Sequence, residues 1–216
     1  MIVILALVAA FLGLRLYSVL GRRTGHEQQP AAVQPEERTQ PSILQPRAVA
    51  PVAGESPRIA NPLVHADAES GIRAIIAADR QFDVARFIDG AKSAYGMILD
   101  AFWKGKREDL HWLCDSDVAT SFENAIAERE AAGESLDNRL VRINRAEIVE
   151  ASLRGRLASV TMRLDADIAA ITRNKEGTVI AGSMTDAVET HDLWTFTREI
   201  GNADPNWKLS ETDEAA

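Results

Sequence analysis

The sequence predicts an α+β domain, helices packed on one face of an antiparallel sheet, preceded by an apolar N-terminal helix and a proline-rich linker. Three observations carry this. Apolar residues recur at helical spacing between residues 67 and 133, the period shortens to two from residue 159 onward, and short turn signals separate the later segments. Helices first and strands afterwards, joined by short turns, is the chain order of an antiparallel sheet whose helices gather on one side.

The chain opens with "MIVILALVAAFLGLRLYSVLG", apolar except for Arg15 before Arg22 and Arg23. A helix over residues 2–20 is roughly 28 Å long, enough to cross the hydrocarbon core of a bilayer. Arg15 lies near the end of that run, close enough to snorkel toward the interface. A cleaved signal peptide carries its positive charge before the apolar run, whereas here it follows. The positive-inside bias then predicts a single-span anchor at 1–20 in the inner, cytoplasmic membrane, with the rest of the chain on the cytoplasmic side.

Residues 21–66 hold seven of the eight prolines, from Pro30 to Pro62, spaced five or six apart among Gln, Glu, Ala and Arg. Such a composition buries little apolar surface, and each proline removes a backbone donor while restraining its predecessor. The segment reads as a disordered, semi-stiff tether.

The folded part is predicted over residues 67–213. "DAESGIRAIIAADRQF" places Ile72, Ile75 and Ile76 at helical spacing, with Asp67 as the expected cap. "FDVARFIDGAKSAYGMILDAFWKG" lays Phe87, Ala91, Ala94, Tyr95, Ile98 and Phe102 on one stripe and stops at Gly105. "KREDLHWLC" reads as a short helix, and "DSDVATSFENAIAEREAAG" continues the period through Val118, Phe122 and Ile126 to Gly133. The strand signal follows. In "SVTMRLDADI", Val160, Met162, Leu164, Ala166 and Ile168 alternate with Ser159, Thr161, Arg163, Asp165 and Asp167. "LVRINRAEIVEASL" and "AVETHDLWTFTREI" are β-branched and aromatic enough to be its neighbours, and "NKEGT" at 174–178 is a turn. The closing "DLWTFTREIGNADPNWKL" is a hairpin: Trp194 and Phe196 share a face, "GNADPN" turns, and Trp207 with Leu209 opens the return strand. Phe87, Ile98, Phe102, Trp194, Phe196 and Trp207 are the expected structural core.

Charge narrows the partners. Up to Ala78 there are seven basic and six acidic residues, and from Asp79 onward 17 against 26, which together make the net charge −8. An acidic body of this kind disfavours nucleic acid. The histidines, at 26, 65, 111 and 191, form no metal-ligand spacing, and no phosphate loop or activated nucleophile is visible, so no metal, cofactor or catalytic residue is expected. Cys114, the single cysteine, reads as a small packed hydrophobe. The polar face of the strand allows one other arrangement. A sheet curled over the helices could enclose a pocket lined by Tyr95, Arg163 and Asp165, where desolvation tunes a carboxylate toward general-base work.

The run "ADRQFDVARFIDGAKSAYGMILDAFWKGKREDL", the helix end "AIAEREAAGE", "TRNKEG" and "DLWTFTREIGNADPNWKLSET" together resemble the Tim forty-four-like family, over about residues 69–213 and in consistent order. That family includes the adaptor of the mitochondrial inner-membrane import motor and TimA-type bacterial proteins. The resemblance implies a cone-like fold of the nuclear-transport-factor-two superfamily, with helices on a bent antiparallel sheet around an apolar pocket. It also implies an adaptor rather than an enzyme, with an unidentified protein partner and with a chaperone or translocase as the family's own partners.

Combined with residues 2–20 in a lipid bilayer, the expected function is a membrane-anchored docking module. The alternative is a small-molecule or lipid-binding protein, or an isomerase-like enzyme, using the cone pocket. The candidate docking residues are Arg86, Lys92 and Trp103, on the edge of the second helix opposite its apolar stripe and at its end. Exposed tryptophans are favoured anchors in protein contacts.

Overall fold

The computed structural model describes residues 63–215; the anchor expected at 1–20 and the linker up to residue 62 lie outside the described residues. Pairing begins at the first of them. Val64 bridges Ile148 in parallel, with the His65 amide donating to the Ile148 carbonyl at 2.8 Å and the Ile148 amide to the Leu63 carbonyl at 2.8 Å. A 3-10 turn at Ala66–Ala68 leads into α1 (Glu69–Ala78), followed by α2 (Val84–Lys104), α3 (Arg107–Leu113) and α4 (Ser116–Ala132). Asp67 does not cap α1. It falls inside the 3-10 turn, 3.3 Å from His65 Nδ1, and the cap position belongs to Ala68, which makes no side-chain cap bond.

The longer helices have both ends closed. Asp83 accepts from the Arg86 amide at 2.8 Å at the start of α2, and Asp115 from the Val118 amide at 3.0 Å at the start of α4. Each then ends on a glycine in the left-handed region, Gly105 at φ 68° and Gly133 at φ 69°, where a side chain would be strained.

Four antiparallel strands follow in the order β1 (Ser135–Arg154), β2 (Leu157–Arg173), β3 (Val179–Glu199) and β4 (Lys208–Glu214), a meander in which each strand pairs with the next. The turn expected at 174–178 is present: the Gly177 amide bonds the Asn174 carbonyl at 2.9 Å, and the Thr178 amide bonds Asn174 Oδ1 at 2.9 Å. β1 shifts register against β2 at three places, between Leu140 and Arg142, Ile143 and Arg145, and Ile148 and Glu150. Extra residues of this kind bend a strand and increase its twist, which curves the sheet under the helices.

Alternation along β2 divides the two faces. Val160, Met162, Leu164 and Ala166 are fully buried toward the helices, with Trp194, Phe196 and Leu209 beside them on β3 and β4. The stripe of α2 meets this face: the Phe87 and Phe196 rings lie 6.2 Å apart edge to face, and Tyr95 sits 4.6 Å from Trp194. Phe87, Ile98, Trp194 and Phe196 are therefore core, whereas Phe102 and Trp207 pack at its rim. α1 approaches β1 so closely that a Cβ on Gly71 would lie 1.8 Å from the Ala151 carbonyl oxygen. The opposite face of the sheet carries the polar half of the alternation, and among the described residues no helix packs on it.

Candidate functional site

The outward side of α2, the end of α3 and the β3–β4 turn together form an apolar groove. One part of it, a cleft of about 230 Å³, is lined by the buried Phe87, Ala91 and Leu113 together with Trp207, Pro205, Met97 and Trp112. The groove continues past Met97 and Trp112 along α2 to Gly96, Asp100 and Lys106. Trp112 is 60% exposed and Met97 46% exposed. Most large apolar side chains on a folded domain find cover. Here two stand open side by side on one furrow.

Local geometry explains the exposure. On α3 the buried residues Leu110 and Leu113 are three apart, and Trp112 falls between them off that face. On α2, Met97 stands one residue before the fully buried Ile98, about 100° around the helix. Gly90 adds no side chain to the lining, and a Cβ there would meet nothing within 4 Å.

The Trp207 side of the cleft is held by Arg198. Its guanidinium lies over the Trp207 ring at 5.1 Å, donates to the Pro205 carbonyl at 3.3 Å and pairs with the Asp79 carboxylate through Nη2. Trp207 also meets Phe87 at 4.8 Å and Phe82 at 5.7 Å. The tryptophan of the closing hairpin thus does two things: it seals the rim of the core and presents its other side to the groove.

Two of the three expected docking residues lie on this groove. Arg86 lines the cleft and Lys92 its extension. Trp103 does not. It is half-buried and lines neither part of the groove, at the end of α2 where α4 packs: Phe122 meets Phe102 at 5.3 Å, and Arg129 Nη2 donates to the Phe102 and Trp103 carbonyls at 3.1 and 3.3 Å. Trp112 holds the exposed position expected of Trp103.

The expected pocket of Tyr95, Arg163 and Asp165 is not assembled, because the sheet lies between its members. Tyr95 is fully buried on the helix side, where its hydroxyl donates to Asp192 Oδ2 at 2.7 Å and lies 3.4 Å from Thr190 Oγ1. Arg163 and Asp165 occupy the other face. Asp165 accepts from Arg163 Nε at 3.1 Å, lies 3.0 Å from His191 Nδ1 and has Arg145 Nε at 3.7 Å. Asp165 is 7% exposed. Burial raises its pKa, but the bonds from His191 and Arg163 outweigh burial and hold it below its ordinary value.

Asp192, which sequence reasoning did not single out, is the carboxyl shifted the other way. Burial, the largest cause, raises its pKa although Tyr95 and Thr190 bond to it. Burial and the neighbouring Asp192 charge likewise push the Tyr95 phenol upward. A raised carboxyl beside a phenol is the raw material of acid–base chemistry. Neither residue lines the groove, however, and a general base needs a substrate within reach. Cys114 is buried, and burial pushes its thiol up to about 12, which suits a packed side chain rather than a nucleophile. Among the described residues no group of three or more His, Cys, Asp or Glu side chains could hold a metal ion.

The described residues thus define a two-layer α+β domain with a helical layer on one face of an antiparallel meander. Residues 68–214 match the family model of the Tim44-like domain, and the chain belongs to that family, which is one of protein-translocation adaptors. No curated protein matches the chain. Among solved structures, the intermembrane-space region of the chloroplast protein ARC6 aligns at 19% identity and TM-score 0.46, covering 63% of this chain and 98% of that one. A member of the NTF2-like family from Streptomyces avermitilis aligns at 15% identity and TM-score 0.34, covering 60% and 97%.

Proposed function

We propose that this Tim44-like domain is a docking module, held at the inner membrane by residues 2–20 and binding a protein partner through the groove between α2, α3 and the β3–β4 turn. One observation carries the reading: Trp112 stands 60% exposed beside Met97 at 46%, in a cleft lined by the buried Phe87, Ala91 and Leu113. Buried aromatic anchors dominate the energetics of protein interfaces, and an apolar furrow with a polar rim is the usual form of such a surface. Arg86 and Lys92 supply that rim. Membership in an adaptor family supports a protein as the partner, with a translocase component or a chaperone as the family's precedents. Among the described residues no helix is long and apolar enough to cross a membrane, so membrane attachment rests on residues 2–20. Release of the full-length chain by carbonate extraction would refute that attachment.

The test of docking is Trp112→Ala in the full-length chain, with crosslinked partners recovered from membranes and identified by mass spectrometry. With so exposed a ring, folding judged by circular dichroism should hardly change, while recovery falls by an amount that matches a loss of at least about 2 kcal/mol of binding. Undiminished recovery from a folded variant would remove the groove from the docking surface.

A further inference from the structure

The groove carries a charge pattern that selects among partners. Arg86 and Lys92 border it, and neither makes an ion pair among the described residues. The rim carboxylates, in contrast, are already engaged. Asp100 is held by Lys104 and by Lys106 at 3.2 Å, which keeps its pKa below the ordinary value, and Asp109 lies 3.9 Å from Lys106. Of the charged side chains lining the furrow, the two without an ion pair are therefore both positive, with the exposed Asp89 three residues from each on α2 as the nearest free carboxylate of that helix, on a chain whose residues from Asp79 onward carry 17 basic against 26 acidic side chains. With a screening length of about 8–10 Å at physiological salt, a partner seated in the groove responds to these nearest cations more than to the acidic body behind them.

The shape of the groove points to a helix. From Arg86 to Asp100 the wall runs about 21 Å along α2, the length of a helix of about 14 residues. Gly90, Ser93 and Gly96 line the furrow on α2 with little or no side chain beside the exposed Met97 and Trp112, so another helix axis is able to come close. The walls contributed by α2 and α3 have their backbone bonds closed within the helices and offer no free strand edge. An extended segment would find no ladder there, whereas a helix arrives with its own backbone satisfied.

We infer that the groove receives a short amphipathic helix of a partner protein, with its apolar face on Trp112 and Met97 and acidic residues set against Arg86 and Lys92. This rests on the docking reading above and specifies the chemistry of the partner at that same site.

The probes are labelled synthetic helices of about 14 residues with leucines along one face, flanked by Glu in one peptide and by Lys in the other. They are titrated by fluorescence anisotropy against the full-length chain in phosphatidylcholine nanodiscs, with empty discs subtracted. The Glu-flanked peptide should bind at least about tenfold tighter at low salt, and the gap should narrow as salt rises. Arg86→Glu combined with Lys92→Glu, both at exposed positions, should reverse the order. Trp112→Ala should weaken the Glu-flanked peptide by about 30-fold.

Equal or tighter binding of the Lys-flanked peptide, or an order unchanged in the double variant, overturns the inference. So does displacement of the Glu-flanked peptide by a synthetic peptide of residues 30–62, which would make the chain's own linker the occupant. A concentration-dependent dimer abolished by Trp112→Ala would make the occupant a second copy, with the same consequence. Should the Glu preference fail while Trp112→Ala still removes membrane crosslinks, the docking reading stands without this partner chemistry. Crosslinks indifferent to Trp112 would instead refute the docking reading itself.

Discussion

A single methyl group should act with opposite sign at two glycines. At Gly71, on the first turn of α1, an added Cβ would lie 1.8 Å from the Ala151 carbonyl oxygen and 2.2 Å from its carbon. Ordinary contact of this kind is about 3.4 Å, so α1 would have to retreat by about 1.5 Å. Backbone on β1 cannot rotate away as a side chain would. A retreat of that size opens gaps around Ile72 and Ile75, both fully buried, and gaps of 0.5–1 Å already forfeit about a quarter to a half of each contact. Overpacking of this sort costs about 1–3 kcal/mol, with a backbone obstacle at the upper end, against at most about 1 kcal/mol gained from alanine's helix propensity. Gly71→Ala should therefore destabilise by about 2 kcal/mol. Gly90, in the middle of α2, has nothing within 4 Å of an added Cβ, so Gly90→Ala should stabilise by about 0.5–1 kcal/mol through propensity alone. Urea unfolding of the two variants and the parent, with equal slopes confirmed, reads both differences. A Gly71→Ala variant as stable as Gly90→Ala would refute the close docking of α1 on β1.

Two further expectations concern the interior. Trp194→Ala removes a ring that is 4% exposed and packed 4.6 Å from Tyr95, and should cost about 3–5 kcal/mol; a variant melting like the parent would show that the ring is not core. Asp192 titrates above its ordinary 3.8 in the folded chain, so the unfolded chain gives up this proton first as pH rises. Its contribution to stability is then full below 3.8 and declines as pH rises through the raised folded value. Asp192→Asn cannot ionise, and the urea midpoint of the parent minus that of the variant should fall with pH across that window; a difference that rose instead would reverse the assignment.

The fold was legible where one period ran unbroken. The stripe of α2 and the alternation of β2 each put apolar residues on one face for many residues, and the structure buries those faces against each other. Strand lengths were less legible. β1 begins at Ser135 and β3 at Val179, well before the apolar segments that marked them: the start of β1 alternates only between exposed and half-buried, with the polar Asn138 at an inward position, and the start of β3 is exposed. Of the groove proposed for docking, the helical period locates the rim charges but not the exposed tryptophan. Arg86 and Lys92 fall off the buried stripe, which the helical period alone locates. The period of α2 alone puts Trp103 beside the stripe at the helix end, and nothing in that period tells that it is half-buried and off the groove. Trp112 had its own signal in the phase of "LHWL", where two leucines three apart leave the tryptophan off their face. The pocket of Tyr95, Arg163 and Asp165 failed on the same parity that defined the strand, since the odd positions from Ser159 to Asp167 face away from the helices.

The most direct test of the docking groove is site-specific photocrosslinking in membranes. A photoreactive residue is placed at Met97, on the groove, and in a second chain at Glu211, which is exposed on the opposite face of the sheet. The account predicts that the probe at position 97 captures a discrete protein partner, that the capture disappears when Trp112→Ala is added, and that the probe at 211 captures none. Capture of the same partner from position 211, with none from position 97, would contradict it.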